Sequence, residues 1–328
     1  MQIFSVQPSR KEDFDLKNLK RRVPGAIYSL ARYIFLLAFS YILLYPLIFM
    51  IASSFKSATD FYDPTIEWIP KNPVFSNFEL AIKAMGFGNS IKDTLIFEIL
   101  AAVLEVISCA VAAYGLARFE FKGKKLLNGL MILTILVPTA MIIIPSYLNF
   151  RYLDVFGILK LFGKIVGKDI RINVLDTPFV MWLPSMLAVG LKGGLFIYIY
   201  KQFFQGLPKE FEEAAYIDGA GPIRTFISVI IPSSTVSITT VTMFAVVWHW
   251  NDYYLANMYL SDSAPISVQL AKIESLISTA IYGDASANVV LAPTIMAACL
   301  LAVLPLIIFY VILQRRFIAS VASSGIVG

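Results

Sequence analysis

Glu98 and Glu105 stand seven residues apart in a stretch otherwise built of Leu, Ile, Val and Ala, so they share one face of a helix. A charge at mid-bilayer costs on the order of 2.5–3.5 kcal/mol, and such residues face a bundle interior or a cavity. Lys192, in another apolar stretch, is the candidate partner. Two arrangements fit: a structural ion pair between helices, or groups lining the path of a polar solute. A proton relay lacks further polar residues to continue it. Thr235, Thr239, Thr242 and His249 also fall near one helical face, widened by Ser233, Ser234, Ser237 and Thr240. Hydroxyls of this kind serve helix packing in membranes or wall a solute pathway. Trp248, Trp250, Tyr253 and Tyr254 cluster beside Asn251 and Asp252. They form an interfacial aromatic belt, or they stack on the C–H faces of a sugar ring while Asn251 and Asp252 bind hydroxyls.

A second island, about 207–224, reads Glu212-Glu213-Ala214-Ala215-Tyr216-Ile217-Asp218-Gly219-Ala220-Gly221-Pro222 at its centre. Pro208 suits a helix start, and Lys209–Tyr216 is rich in helix formers. Asp218-Gly219 supplies a common stop, and Gly221-Pro222 opens the next helical stretch. The expectation is a short helix lying across the membrane face and then a sharp bend. Phe203, Phe204, Phe211 and Tyr216 would pack against the bundle or a partner groove, with Glu210, Glu212 and Glu213 wet. Such a helix is an ordinary interfacial element, or a knob that passes force between a soluble partner and the membrane.

The elements that must hold these residues follow from composition. The chain has 328 residues, 58% of them hydrophobic, with net charge +5 and mean hydropathy +0.74. That lies far outside ordinary soluble domains. A bilayer core needs about 20 mostly apolar residues per helix. Six windows qualify: Ile27–Ser53, Thr94–Ala117, Leu126–Leu148, Phe179–Tyr200, Ile227–Trp250 and Val289–Leu313. Alternating barrel strands are absent from them. The fold class expected is all-α integral membrane, six transmembrane helices, with the island between spans four and five. The first window is too long for a signal h-region and follows a charged arm.

Arg10, Lys11, Lys17, Lys20, Arg21, Arg22, Arg118, Lys122, Lys124, Lys125, Lys201, Lys209, Arg224, Arg315 and Arg316 fall on one side, dense near span ends. Ten Lys and Arg are spread over the three longer loops opposite. The denser side is cytoplasmic by the positive-inside rule, so both termini face the cytoplasm. The positive balance is membrane-surface bias, and no basic patch with interleaved aromatics suggests nucleic acid. Cys109 and Cys299 lie inside spans as packing thiols. A single histidine excludes a multi-histidine metal site in this chain.

Prolines 138, 145, 184, 232, 293 and 305 lie in or beside spans and suit packing kinks or a bundle that opens. The loop near Phe55–Ile91 is expected to form a semi-ordered cap, and a helix is expected around Val268–Ser278. Gly163-Lys164-Ile165-Val166-Gly167-Lys168-Asp169 is not a phosphate loop. It has three residues between the glycines where four are needed, and Asp where Ser or Thr should hold Mg²⁺. ATP must be handled by another chain.

Glu213-Ala214-Ala215, Asp218-Gly219-Ala220 and Pro232 resemble the EAA signature of permease subunits from bacterial binding-protein-dependent ABC importers. Ala113-Tyr114-Gly115-Leu116-Ala117-Arg118 resembles that family's ending of the second span. Trp250-Asn251-Asp252-Tyr253 resembles its element after the fifth. Trp68-Ile69-Pro70 and the tail from Gln314-Arg315-Arg316-Phe317 to Gly328 are similar to the maltose-type subclass. One departure is the outer loop Gly163–Asp176, longer than the subclass leads one to expect.

The resemblance spans about 26–328, behind a cytoplasmic arm of residues 1–25, with the tail at 314–328. It implies a carbohydrate-uptake permease, half of a permease dimer in the bacterial inner membrane. Glu212, Glu213, Ala214, Ala215, Asp218 and Gly219 would dock on a dimer of ATPase subunits that holds the ATP and Mg²⁺. An external or periplasmic solute-binding protein would deliver the sugar. No catalytic residue, cofactor or metal is expected in this chain. The rival readings are an ion-coupled secondary transporter using Glu98, Glu105 and Lys192, a non-transporting membrane scaffold, and an ABC importer permease for a non-sugar solute.

Overall fold

The computed structural model describes residues 10–154, 172–262, 264–281 and 291–324. The expectations for residues 1–9, for Gly163–Asp169 within the outer loop, and for the end of the tail at 325–328 lie outside them. Among the described residues the chain is helical, and its single β-bridge joins Leu153 to Ile172.

The long helix α1 runs from Arg10 to Ser54, so the charged arm from Arg10 onward continues the first apolar stretch. The second, α2, spans Phe87–Arg118. It contains a π turn at Thr94–Ile99, which places Glu98 in a widened coil. The π turn is stabilised from outside. The Trp182 indole donates to the Ile96 carbonyl at 2.8 Å, and Ile266 N donates to Thr94 Oγ1 at 2.9 Å.

The third window is two helices, α3 (Lys124–Leu136) and α4 (Thr139–Arg151), bent by 106°. The cause is Val137-Pro138: a residue before proline is pushed out of the helical region, and Val137 has φ −74° and ψ 118°. Pro145 stays inside α4. The fourth window divides as well, into α5 (Phe179–Met186) and α6 (Gly193–Gly206), across a linker where Ala188 and Lys192 have left-handed φ of 59° and 69°.

The short helix α7 covers Glu210–Ile217. Beyond it, α8 (Pro222–Ser233) and α9 (Thr235–Trp250) are bent by 82°. Pro232 offers no amide hydrogen there, and the buried Ser234 Oγ donates to the Ile230 carbonyl at 2.6 Å. The last long helix, α10, spans Leu291–Ser324 with Pro305 inside it.

Three of these helices are long and apolar enough to cross a membrane: Tyr28–Ser54 within α1, α2, and Leu291–Gln314 within α10. The number rises to five if each bent pair is one crossing. The fourth window is not among them, because its helices are only 8 and 14 residues long.

The core sits on α2. Ala102, Cys109, Ala110 and Ala113 are small enough for Phe196, Tyr200 and Phe204 of α6 and Val241 and Ala245 of α9 to close over them. Gly193 and Gly194 let α6 approach. A Cβ on Gly193 would meet the Ala188 carbonyl oxygen at 2.6 Å, and one on Gly194 would collide with Thr134 Oγ1.

The loop after α1 is well tied. Buried Lys56 Nζ donates to the Ile66 and Glu67 carbonyls at 2.8 and 3.0 Å, and Asn77 Nδ2 bridges the Ser54 and Lys56 carbonyls. The expected cap is therefore an ordered one. The helix expected at Val268–Ser278 is two, Ile266–Ala271 and Ile273–Ile281. The described end of the outer loop is held by Asp176, whose carboxylate accepts from the Ser261 and Asp262 amides.

Candidate functional site

The intramembrane carboxylates do pair, but with a different group. His249 near the end of α9 sits between them: Nδ1 is 3.0 Å from Glu98 Oε2, and Nε2 is 2.8 Å from Glu105 Oε2. Both glutamates are fully buried, and His249 nearly so. A neutral imidazole can donate from only one nitrogen. Both contacts are satisfied if the ring is an imidazolium, or if one carboxyl carries a proton and donates to it. Either way two protons are shared among three side chains, and the group ties α2 to α9.

Lys192 is not the partner that sequence spacing suggested. It occupies the linker before α6, exposed, with Nζ 5.9 Å above the Trp248 ring. In the same linker Gly190, and at the start of α6 Gly193, lie against Glu105. A Cβ on either would come within 3.0–3.1 Å of that carboxyl group. Spacing placed the glutamates on one face, but it assigned His249 to the hydroxyl stripe. Its uniqueness in the sequence was the only signal that could have paired it with them.

The stripe itself is uneven. Thr239 is buried, Thr242 half-buried and Thr235 exposed. Several hydroxyls turn back onto carbonyls three or four residues earlier: Thr235 Oγ1 donates to the Pro232 carbonyl at 2.9 Å, Ser237 Oγ to Ser234 at 3.1 Å, and Thr240 Oγ1 to Val236 at 2.9 Å. These contacts satisfy Thr235, Ser237 and Thr240 locally and fit either of the two alternatives, packing or a hydroxyl wall. Asn251 is exposed and its amide donates to the Val247 carbonyl, while Tyr253 is half-buried against Tyr254. Asp252 is buried instead. Its amide donates to the His249 carbonyl at 3.1 Å, and its Oδ1 accepts from Leu255 N at 3.2 Å. Trp250 is also inward, donating from Nε1 to the Ala302 carbonyl of α10 at 3.1 Å.

At the opposite end of α2, Arg118 reaches α7. Its Nε lies 3.3 Å from Glu212 Oε2, and its Nη2 donates to the Leu207 carbonyl at 2.9 Å. Both side chains are about nine-tenths enclosed. Glu212 is therefore not a wet residue. It is the internal anchor of the segment, and its partner Arg118 was marked in the sequence as the end of a helix and as one of the dense positive charges, not as a partner of Glu212. Tyr114, one turn earlier on α2, packs its ring on Phe226 of α8 at 4.7 Å and edge-on to Phe204 of α6 at 6.3 Å.

With Glu212 and Ala215 turned inward, α7 presents Phe211, Glu213, Ala214, Tyr216 and Ile217 outward. Ile217 is 86% exposed, and Ile223 beyond it is 77% exposed. The chain reverses at Gly219, whose φ of 78° strains any residue with a Cβ. The arrangement is a short helix braced from behind by one ion pair and open in front, with a polar–apolar face. Among the described residues no group of acidic, histidine and cysteine side chains could hold a metal ion.

Residues 106–323 match the family described as the binding-protein-dependent transport system inner membrane component. The chain is 28% identical over 285 residues to the melibiose/raffinose/stachyose import permease of Bacillus subtilis (strain 168), covering 86% of this chain and 91% of that protein. It is 27% identical over 298 residues to the polygalacturonan/rhamnogalacturonan transport system permease of the same organism, covering 89% and 95%. To the trehalose transport system permease of Mycobacterium tuberculosis (strain CDC 1551 / Oshkosh) it is 26% identical over 286 residues, covering 87% and 93%. In fold it is similar to a chain of the crystal structure of a bacterial ABC transporter involved in the import of the acidic polysaccharide alginate. The TM-score is 0.69 at 20% identity, over 95% of this chain and 100% of that one.

Proposed function

The chain belongs to the family of inner-membrane components of binding-protein-dependent transport systems, and from that premise we propose that it is one permease half of an ATP-driven importer of oligosaccharides or related glycans. The observation that carries the mechanism is the Arg118–Glu212 pair behind α7. It makes α7 move with α2 and leaves the face around Glu213, Ala214 and Ile217 free for another protein.

In this reading the crossings are six: α1, α2, α3 with α4, α5 with α6, α8 with α9, and α10. Both termini and α7 face the cytoplasm of a bacterial cell, in keeping with the Lys and Arg density near the span ends. A second, homologous permease completes the pathway. An external solute-binding protein delivers the solute, and a dimer of ATPase subunits holds ATP and Mg²⁺ and grips α7. The Glu212, Glu213, Ala214, Ala215, Asp218 and Gly219 segment is the coupling element.

The cycle is alternating access. Closure of the ATPases on ATP pushes α7, and the push reaches α2 through Arg118 and reaches α8 through the reversal at Gly219. Because the chain binds no nucleotide, its share in the cycle lies in contacts that differ between the two states. The sugar assignment rests on the similar permeases, named for melibiose, raffinose and stachyose import, for polygalacturonan and rhamnogalacturonan transport and for trehalose transport.

Gly219→Pro and Glu213→Lys test it in the reconstituted complex. The first forbids the positive φ, and the second reverses charge on the outward face without touching the Arg118 pair. Both variants should insert and keep basal ATP hydrolysis, yet lose its stimulation by solute-loaded binding protein. Full stimulation in both would remove α7 from the mechanism. Uptake that collapses with an uncoupler while ATP remains would favour the ion-coupled reading instead.

A further inference from the structure

Lys192 is the one charged residue between Phe179 and Tyr200, in a stretch otherwise apolar. The following helix, α6, is 14 residues long, which puts the lysine roughly 20 Å from that helix's far end. In a hydrocarbon layer about 30 Å thick it lies well inside. A lysine at such depth costs on the order of 2.5–3.5 kcal/mol unless it meets a polar cavity or another protein group.

The fold spends an unfavourable conformation to present it. Lys192 has φ 69°, in the left-handed region that side chains avoid. Its backbone is fixed by Gly193 and Gly194, which let α6 sit against the Ala188 carbonyl and Thr134. Among the described residues the ammonium has no hydrogen-bond or ion-pair partner. The buried carboxylates nearest in sequence logic, Glu98 and Glu105, are both engaged by His249. What the ammonium does meet is Trp248, at 5.9 Å from the ring centre. That ring is held by Phe196 at 5.6 Å and Phe244 at 5.4 Å, and Phe244 is itself exposed.

An exposed ammonium beside a rigid, partly exposed indole is a recognition pair for a sugar that carries a carboxylate. The ammonium, a compact cation with three donors, swings from over the ring to the carboxylate, and the indole face that it leaves takes the C–H side of the sugar. We propose that Lys192 and Trp248 form a subsite in the translocation pathway for uronic-acid units, so that acidic oligosaccharides are the preferred cargo. This rests on the importer reading and narrows it. Neutral sugars would use the indole alone.

The test uses the whole complex in proteoliposomes, with its binding protein and ATPases. The probes are short oligogalacturonates and oligomannuronates, each beside its uncharged methyl ester, and a panel of neutral oligosaccharides. The wild type should take up an acidic probe. Lys192→Gln should lower that uptake by about tenfold, the equivalent of roughly 1.4 kcal/mol, and leave the matching ester unchanged, while Lys192→Arg should retain most of it. Basal ATP hydrolysis in all three checks that the complex is assembled.

Equal losses for acid and ester would overturn the subsite and point to a lysine paired with a carboxylate of the second permease. Uptake of acid unaffected by Lys192→Gln would overturn it too. A wild type that carries only neutral sugars sinks the subsite and leaves the importer standing. One that carries no sugar at all sinks the importer reading itself.

Discussion

Glu212 Oε2 lies 3.3 Å from Arg118 Nε, so the first turn of α7 is pinned to the last turn of α2 by a pair that solvent barely reaches. Removing one member leaves the other charge enclosed and unpaired, at a cost of about 3–5 kcal/mol for a fully buried pair. Arg118→Ala should therefore loosen α7 and uncouple ATP hydrolysis from solute. The exchange R118E/E212R should recover part of the coupling, though not the Arg118 bond to the Leu207 carbonyl. The ratio of solute-stimulated to basal ATP hydrolysis in the parent, R118E, E212R and the double exchange reads the interaction. Additive losses would mean that the two charges do not act on each other.

His249 bridges two buried carboxylates, Glu98 and Glu105. His249→Ala should destabilise the protein by about 3–5 kcal/mol, seen as a large drop in the unfolding midpoint in detergent. Adding Glu98→Gln and Glu105→Gln to the same chain should restore much of it, because the stranded charges are gone. A single variant as stable as the parent would contradict the pairing.

Gly193 and Gly115 make a matched pair. A Cβ at Gly193 would press on the Ala188 backbone at 2.6 Å, whereas nothing lies within 4 Å of a Cβ at Gly115. Overpacking costs about 1–3 kcal/mol, and replacing a helical glycine by alanine gains roughly 0.5–1 kcal/mol. Gly193→Ala should lower the thermal midpoint and Gly115→Ala should hold or raise it, measured on the purified chain.

Asp60 accepts from the Asn72 amide at 2.7 Å, and that bond holds its carboxyl below the usual carboxylate range. A depressed carboxyl stabilises above its unfolded value, about 3.9, and the contribution is lost as pH falls through the lower folded value. The loop 58–72 should therefore keep constant protease resistance from pH 5 to 8. Asp60→Asn should raise its cleavage rate at neutral pH.

The apolar windows were legible because bilayer thickness dictates a length and a composition, and α1, α2 and α10 follow them closely. The short helix at the EAA segment was legible too, since Pro208, Gly219 and Pro222 punctuate it whatever surrounds it. Breaks inside windows were legible only as prolines. Pro138 bends the chain by 106° while Pro145 and Pro305 stay inside helices, and a proline alone does not say which it will do, because membrane helices tolerate it wherever the surroundings re-satisfy the backbone.

Pairing was another matter. Seven-residue spacing put Glu98 and Glu105 on one face, but nothing in a one-dimensional chain orders α9 against α2 rather than α6. Lys192 was the nearer guess and His249 the true partner. Likewise Glu212 looked as wet as Glu213, because composition cannot say which side of an eight-residue helix meets an arginine 94 positions earlier. Local signals and solvent preference belong to the sequence alone. Which buried charge answers which is decided by tertiary contact, since the attraction between charges depends on distance and surroundings that only the packed bundle supplies.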